Sequence, residues 1–139
     1  MSNEQNVRFR SKLGVVKGLG SAKSGVCHWW AQRVTAVAMI PLSLWFLSAV
    51  LTVFISPDVI LVAKWLSSPV NALLLVLLLA SAFYHAKLGL QVVIEDYVKY
   101  PYAKYSLLLA NVFFCFACAS LSIIAVLKLH FLDIAASAV

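Results

Sequence analysis

Residues 69–97 read PVNALLLVLLLASAFYHAKLGLQVVIEDY, and this stretch decides the fold. From Pro69 to about Ile94 it runs without a break in apolarity long enough to cross a hydrocarbon core about 30 Å thick, which requires roughly 17–25 residues as a helix. Strands that cross a membrane alternate over segments of about ten residues, and no alternation is present here. Pro69 suits a first helical turn, because its missing N–H would have had no partner there. Glu95-Asp96-Tyr97 marks the membrane surface at the other end.

Two further blocks repeat the pattern, over about 31–55 and 105–127, so the expected fold class is an all-α membrane protein with three transmembrane helices. The composition agrees: of 139 residues, 63% are hydrophobic and 12% charged, with a mean hydropathy of +0.96. A soluble domain is usually about 45–50% apolar and could not hide such an excess. Residues 1–30 are expected to form a tail and 129–139 a short C-terminal extension. His28-Trp29-Trp30 reads as an interfacial belt before the first span. Pro41 is expected to kink that span. Between the first two spans, Pro57 and Asp58 open an outer connection in which 59–66 is expected to form an interfacial helical turn. Lys99 to Lys104, broken by Pro101, is expected to form the inner loop.

The net charge of +6 is a topology signal, not a nucleic-acid platform, because the basic residues gather at the ends of spans. Arg8, Arg10, Lys12, Lys17, Lys23 and Arg33 lie on one side with Lys99 and Lys104, whereas Lys64 and Lys128 are offset by Asp58 and Asp133. The positive-inside rule places the N-terminus in the cytoplasm, or the matrix of an organelle, and the C-terminus opposite. The expected location is the bacterial cytoplasmic (inner) membrane, with the mitochondrial inner membrane as the alternative. No secretory signal is expected. Gly20 to Gly25 lacks the spacing of a phosphate loop. Cys27, Cys115 and Cys118 suggest no disulfide framework, and the latter two are expected to pack as small hydrophobes.

Chemistry concentrates on the second span. His85 lies about nine residues before its inner end, roughly 14 Å deep. Ionisable groups at that depth mark functional sites by default and face a partner instead of lipid, although a histidine bonded across a helix interface meets the same need. His85, Gly89, Val92 and Asp96 fall on one face, since eleven residues make close to three turns. A glycine one turn from an imidazole leaves room for a flat body such as haem, or for close helix contact. His28 and His130 lie at other levels, so this chain cannot complete a bis-histidine site alone; a second axial ligand would come from another subunit or copy. Tyr97 can donate its phenolic O–H to a quinone carbonyl, or belong to an aromatic belt. Asp96 can orient an arginine or pass protons. Arg33, placed at the same inner level, could pair with Asp96 or a haem propionate, or serve only topology. Lys87 is expected to snorkel inward.

The run His85-Ala86-Lys87-Leu88-Gly89-Leu90-Gln91-Val92-Val93-Ile94-Glu95-Asp96-Tyr97-Val98 resembles the signature of the hydrophobic membrane anchors of succinate dehydrogenase, the D-type anchors of respiratory complex II. That signature is a histidine, a glycine four residues later and an Asp-Tyr pair eleven and twelve later. The stretch Ser21 to Ala36, SAKSGVCHWWAQRVTA, looks like the start of the same family.

The resemblance implies that His85 is one axial ligand of a haem b shared with a second, cytochrome b-type anchor subunit. It implies that Tyr97 hydrogen-bonds ubiquinone, that Asp96 helps deliver protons and that Arg33 lies near the propionates and quinone pocket. An iron–sulfur subunit and a flavoprotein with FAD would complete the complex and carry the succinate chemistry, leaving this chain as an electron-transfer and docking subunit of the tricarboxylic acid cycle enzyme. The pattern departs at Cys27, where some members carry a histidine, so no role is carried over to His28. A fumarate reductase anchor, a scaffold without haem and a small transporter are the competing classes.

Overall fold

The structure is a computed structural model that describes residues 23–55 and 58–137. The tail expected before Lys23, with its basic and glycine residues, and Pro57 of the outer connection lie outside the described residues. Those described form helix α1 (Lys23–Ala49) continuing into a π-helical segment (Val50–Phe54), then α2 (Val59–Ser67), α3 (Pro69–Tyr97) and α4 (Pro101–Ser137). There is no strand among them. Three stretches are long and apolar enough to cross a membrane: Gly25–Val53, Pro69–Tyr97 and Pro101–Leu132.

By its internal contacts the chain divides into Met1–Trp30 and Ala31–Val139. In the first unit the described residues are the opening turns of α1, where Trp29 and Trp30 meet edge to face with centroids 5.4 Å apart. The helix begins at Lys23, so these tryptophans lie within it. Pro41 sits inside α1, which runs on to Ala49. The change in helix form comes later, at Val50–Phe54. There the hydroxyls of Ser48 and Thr52 donate back to the carbonyls of Trp45 (2.6 Å) and Ser48 (2.8 Å), occupying acceptors at the widened ladder.

In the second unit the short α2 is held at both ends. Asp58 accepts from the Ile60 N–H at 2.9 Å as an N-cap. At the other end the orphan carbonyls of the last turn find side-chain donors. Asn71 donates to the Trp65 carbonyl at 2.8 Å, and buried His130 donates its Nδ1–H to the Leu66 carbonyl at 2.9 Å. Leu66 then packs with Ala72 of α3 and Val126 of α4 in a buried cluster, and Trp65 stacks on Trp45 at 5.5 Å.

Pro69 and Pro101 each open a helix. Ser68 is extended (ψ 122°), as a residue before proline prefers, and Pro69 starts α3. Pro101 likewise starts α4 instead of breaking a loop, so the inner connection shrinks to Val98–Tyr100. Lys104 reaches back to the Glu95 carbonyl at 2.8 Å, binding the first turn of α4 to the last turn of α3.

Midway, buried Asn111 of α4 donates to the Lys87 carbonyl of α3 at 2.9 Å and accepts from the Cys115 thiol at 3.4 Å. Cys115 is buried, as its packing role requires, and Cys118 half-buried. Interhelical bonds of this kind in a membrane contribute about 0.6 kcal/mol on average and up to about 1.7. Asn111→Ala is therefore expected to lower unfolding stability in detergent by about 1 kcal/mol, read from a denaturation midpoint, with the helix content of the native chain unchanged.

Of the apolar windows of the three long helices only 6%, 11% and 11% is buried within the chain. Helices apolar on every side belong in a bilayer or against other membrane chains, and Phe113, Phe114 and Phe116 of α4 are exposed on this account.

Candidate functional site

The N-terminal half of α1 and the C-terminal half of α3 face each other and run antiparallel, because Thr35 lies opposite His85 and Gln32 opposite Gly89. Thr35 Oγ1 is 3.0 Å from His85 Nδ1. The same hydroxyl donates to the Ala31 carbonyl at 2.8 Å, with the Gln32 carbonyl further off at 3.1 Å. A hydroxyl has one proton and two lone pairs. The contact with His85 can run in either direction: when the proton goes to Ala31 the oxygen accepts from Nδ1–H, and that arrangement leaves the imidazole lone pair on Nε2. Among the described residues, Thr35 is the recorded side-chain partner of His85.

This arrangement is chemically directional. A ligating histidine commonly donates its other ring N–H to a neighbour that fixes the tautomer and raises the basicity of the ligating nitrogen. The half-buried His85, held at Nδ1, would have Nε2 to offer to a haem iron. Among the described residues no group of three or more His, Cys, Asp or Glu converges. His130 is bonded to Leu66 at the opposite end of the helices, far from His85 in register.

Gly89 extends the same face. A Cβ placed there would lie 3.6 Å from the Gln32 Nε2, an ordinary contact, so the Gln32 amide lies over the space beside this glycine. Arg33 follows Gln32 and is therefore level with Gly89, about one turn from His85 and not at the level of Asp96. Its side chain is exposed. Asp96 and Tyr97 occupy the last turn of α3, about 16 Å along the axis from His85. Both are exposed, Tyr97 to 80%. The chain thus brings His85 and Gly89 together against α1, carries Arg33 nearby, and leaves Asp96 and Tyr97 apart at the helix end.

Lys87 does not snorkel toward that end. Its ammonium lies over the Tyr84 ring, 5.9 Å from the centroid, one turn in the opposite direction. This follows the tilt of helical side chains toward the N-terminus.

Thr35 and Gln32 were not singled out by sequence reasoning. Their level comes from the contacts with His85 and Gly89, which the limits of α1 do not supply.

A family model described as succinate dehydrogenase/fumarate reductase transmembrane subunit matches residues 8–119. The chain is similar to a protein of Rickettsia bellii (strain RML369-C) named succinate dehydrogenase hydrophobic membrane anchor subunit, 40% identical over 102 residues, or 73% of this chain and 81% of that protein. Its namesake in Rickettsia conorii (strain ATCC VR-613 / Malish 7) is 36% identical over 108 residues, covering 77% of this chain and 85% of the relative. The succinate dehydrogenase membrane anchor subunit of Reclinomonas americana is 31% identical over 80 residues, 55% of this chain and 65% of its own length. No solved structure matches.

Proposed function

The chain belongs to the succinate dehydrogenase/fumarate reductase transmembrane subunit family and is a succinate dehydrogenase membrane anchor subunit; on that premise we propose that it holds one side of a haem b through His85 and helps to form the site of ubiquinone reduction. The observation that carries this reading is the Thr35–His85 hydrogen bond, because it holds the imidazole through Nδ1 and leaves Nε2 on the other side of the ring for iron.

When bound, haem supplies a one-electron store between the two anchor chains. This chain's residues do the holding. Thr35 fixes the ring of His85, Gln32 and Gly89 shape the adjoining surface, and Arg33, one turn nearer the membrane surface, offers a cation to the propionates. Tyr97 donates its hydroxyl to a quinone carbonyl, and Asp96 beside it exchanges protons with water as the quinone is reduced. The exposure of both suits a pocket whose other wall comes from partner subunits.

Those partners are a second membrane anchor, which would supply the other ligand to the haem iron, an iron–sulfur subunit and an FAD-bearing flavoprotein. Succinate is oxidised on the last of these, and the anchor fixes the assembly to the bacterial inner membrane with the Tyr97 end of α3 on the cytoplasmic side. The names of the relatives favour succinate oxidation over fumarate reduction.

The test is a reduced-minus-oxidised visible spectrum of the affinity-purified native complex with an inventory of its subunits. A b-type haem together with a flavoprotein, an iron–sulfur protein and a second small membrane chain is the expected result. A complex of those subunits with no haem signal would return His85 to a structural bond with Thr35.

A further inference from the structure

A groove of about 300 Å³ runs between α3 and α4, lined by Ala80, Phe83 and Tyr84 on one side and by Phe116 and Ala119 on the other, with Lys87 at its margin. Of the residues lining it, only Lys87 is charged. Lys87 is two positions after His85, about 200° around the helix, so the groove lies on a different face from Thr35.

Lys87 is seven residues before Ile94, where the apolar run ends, about 10 Å from the membrane surface along the axis. Its side chain points away from that surface, over Tyr84. Its backbone carbonyl is clamped by Asn111, which fixes α4 against this turn. A cation kept in the hydrocarbon faces a partner group, and the ring face of Tyr84 brings no formal negative charge. The groove walls are otherwise apolar, with alanines at 80 and 119 that allow another backbone to come close.

We propose that this groove receives a membrane-spanning helix of another chain, which brings an aspartate or glutamate carboxylate to the Lys87 ammonium. Depth selects this occupant. A phospholipid phosphate is confined to the headgroup layer, whereas a helix can place a carboxylate at any level along its length. The inference does not depend on the haem or quinone assignments.

The experiment places a photoreactive benzoylphenylalanine at Phe116 in the full chain, irradiates native membranes and identifies the adduct by mass spectrometry. The expected adduct is a peptide from an apolar membrane-spanning segment with an acidic residue within one turn of the cross-link. Its yield should fall at least about tenfold in Lys87→Met, as expected when one partner of a desolvated charge pair is removed, and persist in Lys87→Arg. Lipid adducts alone, a peptide without an acidic residue, no polypeptide adduct, or an equal yield in Lys87→Met at matched chain levels would each overturn the proposal. A haem spectrum of the same membranes separates this outcome from failure of the His85 assignment.

Discussion

Replacement of His85 by alanine is expected to remove the b-type haem absorbance from the purified complex while this chain still inserts and folds. The two effects separate because they rest on different bonds. Within the chain His85 contributes one interhelical hydrogen bond, worth about 0.6 kcal/mol in a membrane, and Thr35 keeps its bond to the Ala31 carbonyl when the imidazole is gone. The haem loses an axial ligand outright. Thr35→Val refines the test, since it preserves shape and removes only the hydroxyl that meets Nδ1. Loss of such a supporting partner typically weakens binding by about 10- to 100-fold, so haem should be partly lost and its axial-ligand spectrum altered. Thr35→Ser should restore both. Full haem content with an unchanged spectrum in His85→Ala would remove His85 from the ligand set.

The span over 69–97 was legible because its signals coincide: an unbroken apolar run, a proline at one end and a Glu-Asp-Tyr surface marker at the other. The structure agrees to within three residues, ending α3 at Tyr97. The other two spans were legible as membrane-crossing helices but not in their limits, because a helix does not stop where the bilayer stops. Polar residues of 23–30 read as tail, yet nothing among them forbids helix, and α1 begins at Lys23. Pro101 read as a breaker when its position at the start of a helix made it an opener. The level of Thr35 comes from its contact with His85, which the limits of α1 do not supply. His85, Gly89, Asp96 and Tyr97 could be placed on one helix by periodicity alone. What faces His85 could not, because antiparallel register between two apolar helices is set by side-chain packing that leaves no periodic trace.

Tyr97→Phe is expected to lower kcat/KM for quinone by about 10- to 100-fold while leaving haem content and subunit composition intact. The substitution removes a hydroxyl from a side chain that is 80% exposed in this chain, and changes at such positions usually alter stability by no more than about 0.5 kcal/mol. Its neighbours do not depend on it either: the final turn of α3 is held by the Val98 N–H on the Ile94 carbonyl and by Lys104 on the Glu95 carbonyl. The functional effect should be much larger than the structural one. A single neutral hydrogen bond contributes about 0.5–1.5 kcal/mol to ground-state binding. As electrons arrive, negative charge builds on the quinone oxygen, and a donor aimed at developing charge can be worth about 10²–10³ in rate in a closed site. The open position of Tyr97 places the expectation below that upper range. If the hydroxyl acts on the reacting oxygen, kcat falls along with kcat/KM; if it only anchors the ring, KM rises and kcat holds. Steady-state assays with a soluble quinone distinguish these cases, and identical kinetics in variant and parent would show that Tyr97 is an interfacial aromatic and that the quinone finds its donor on another subunit.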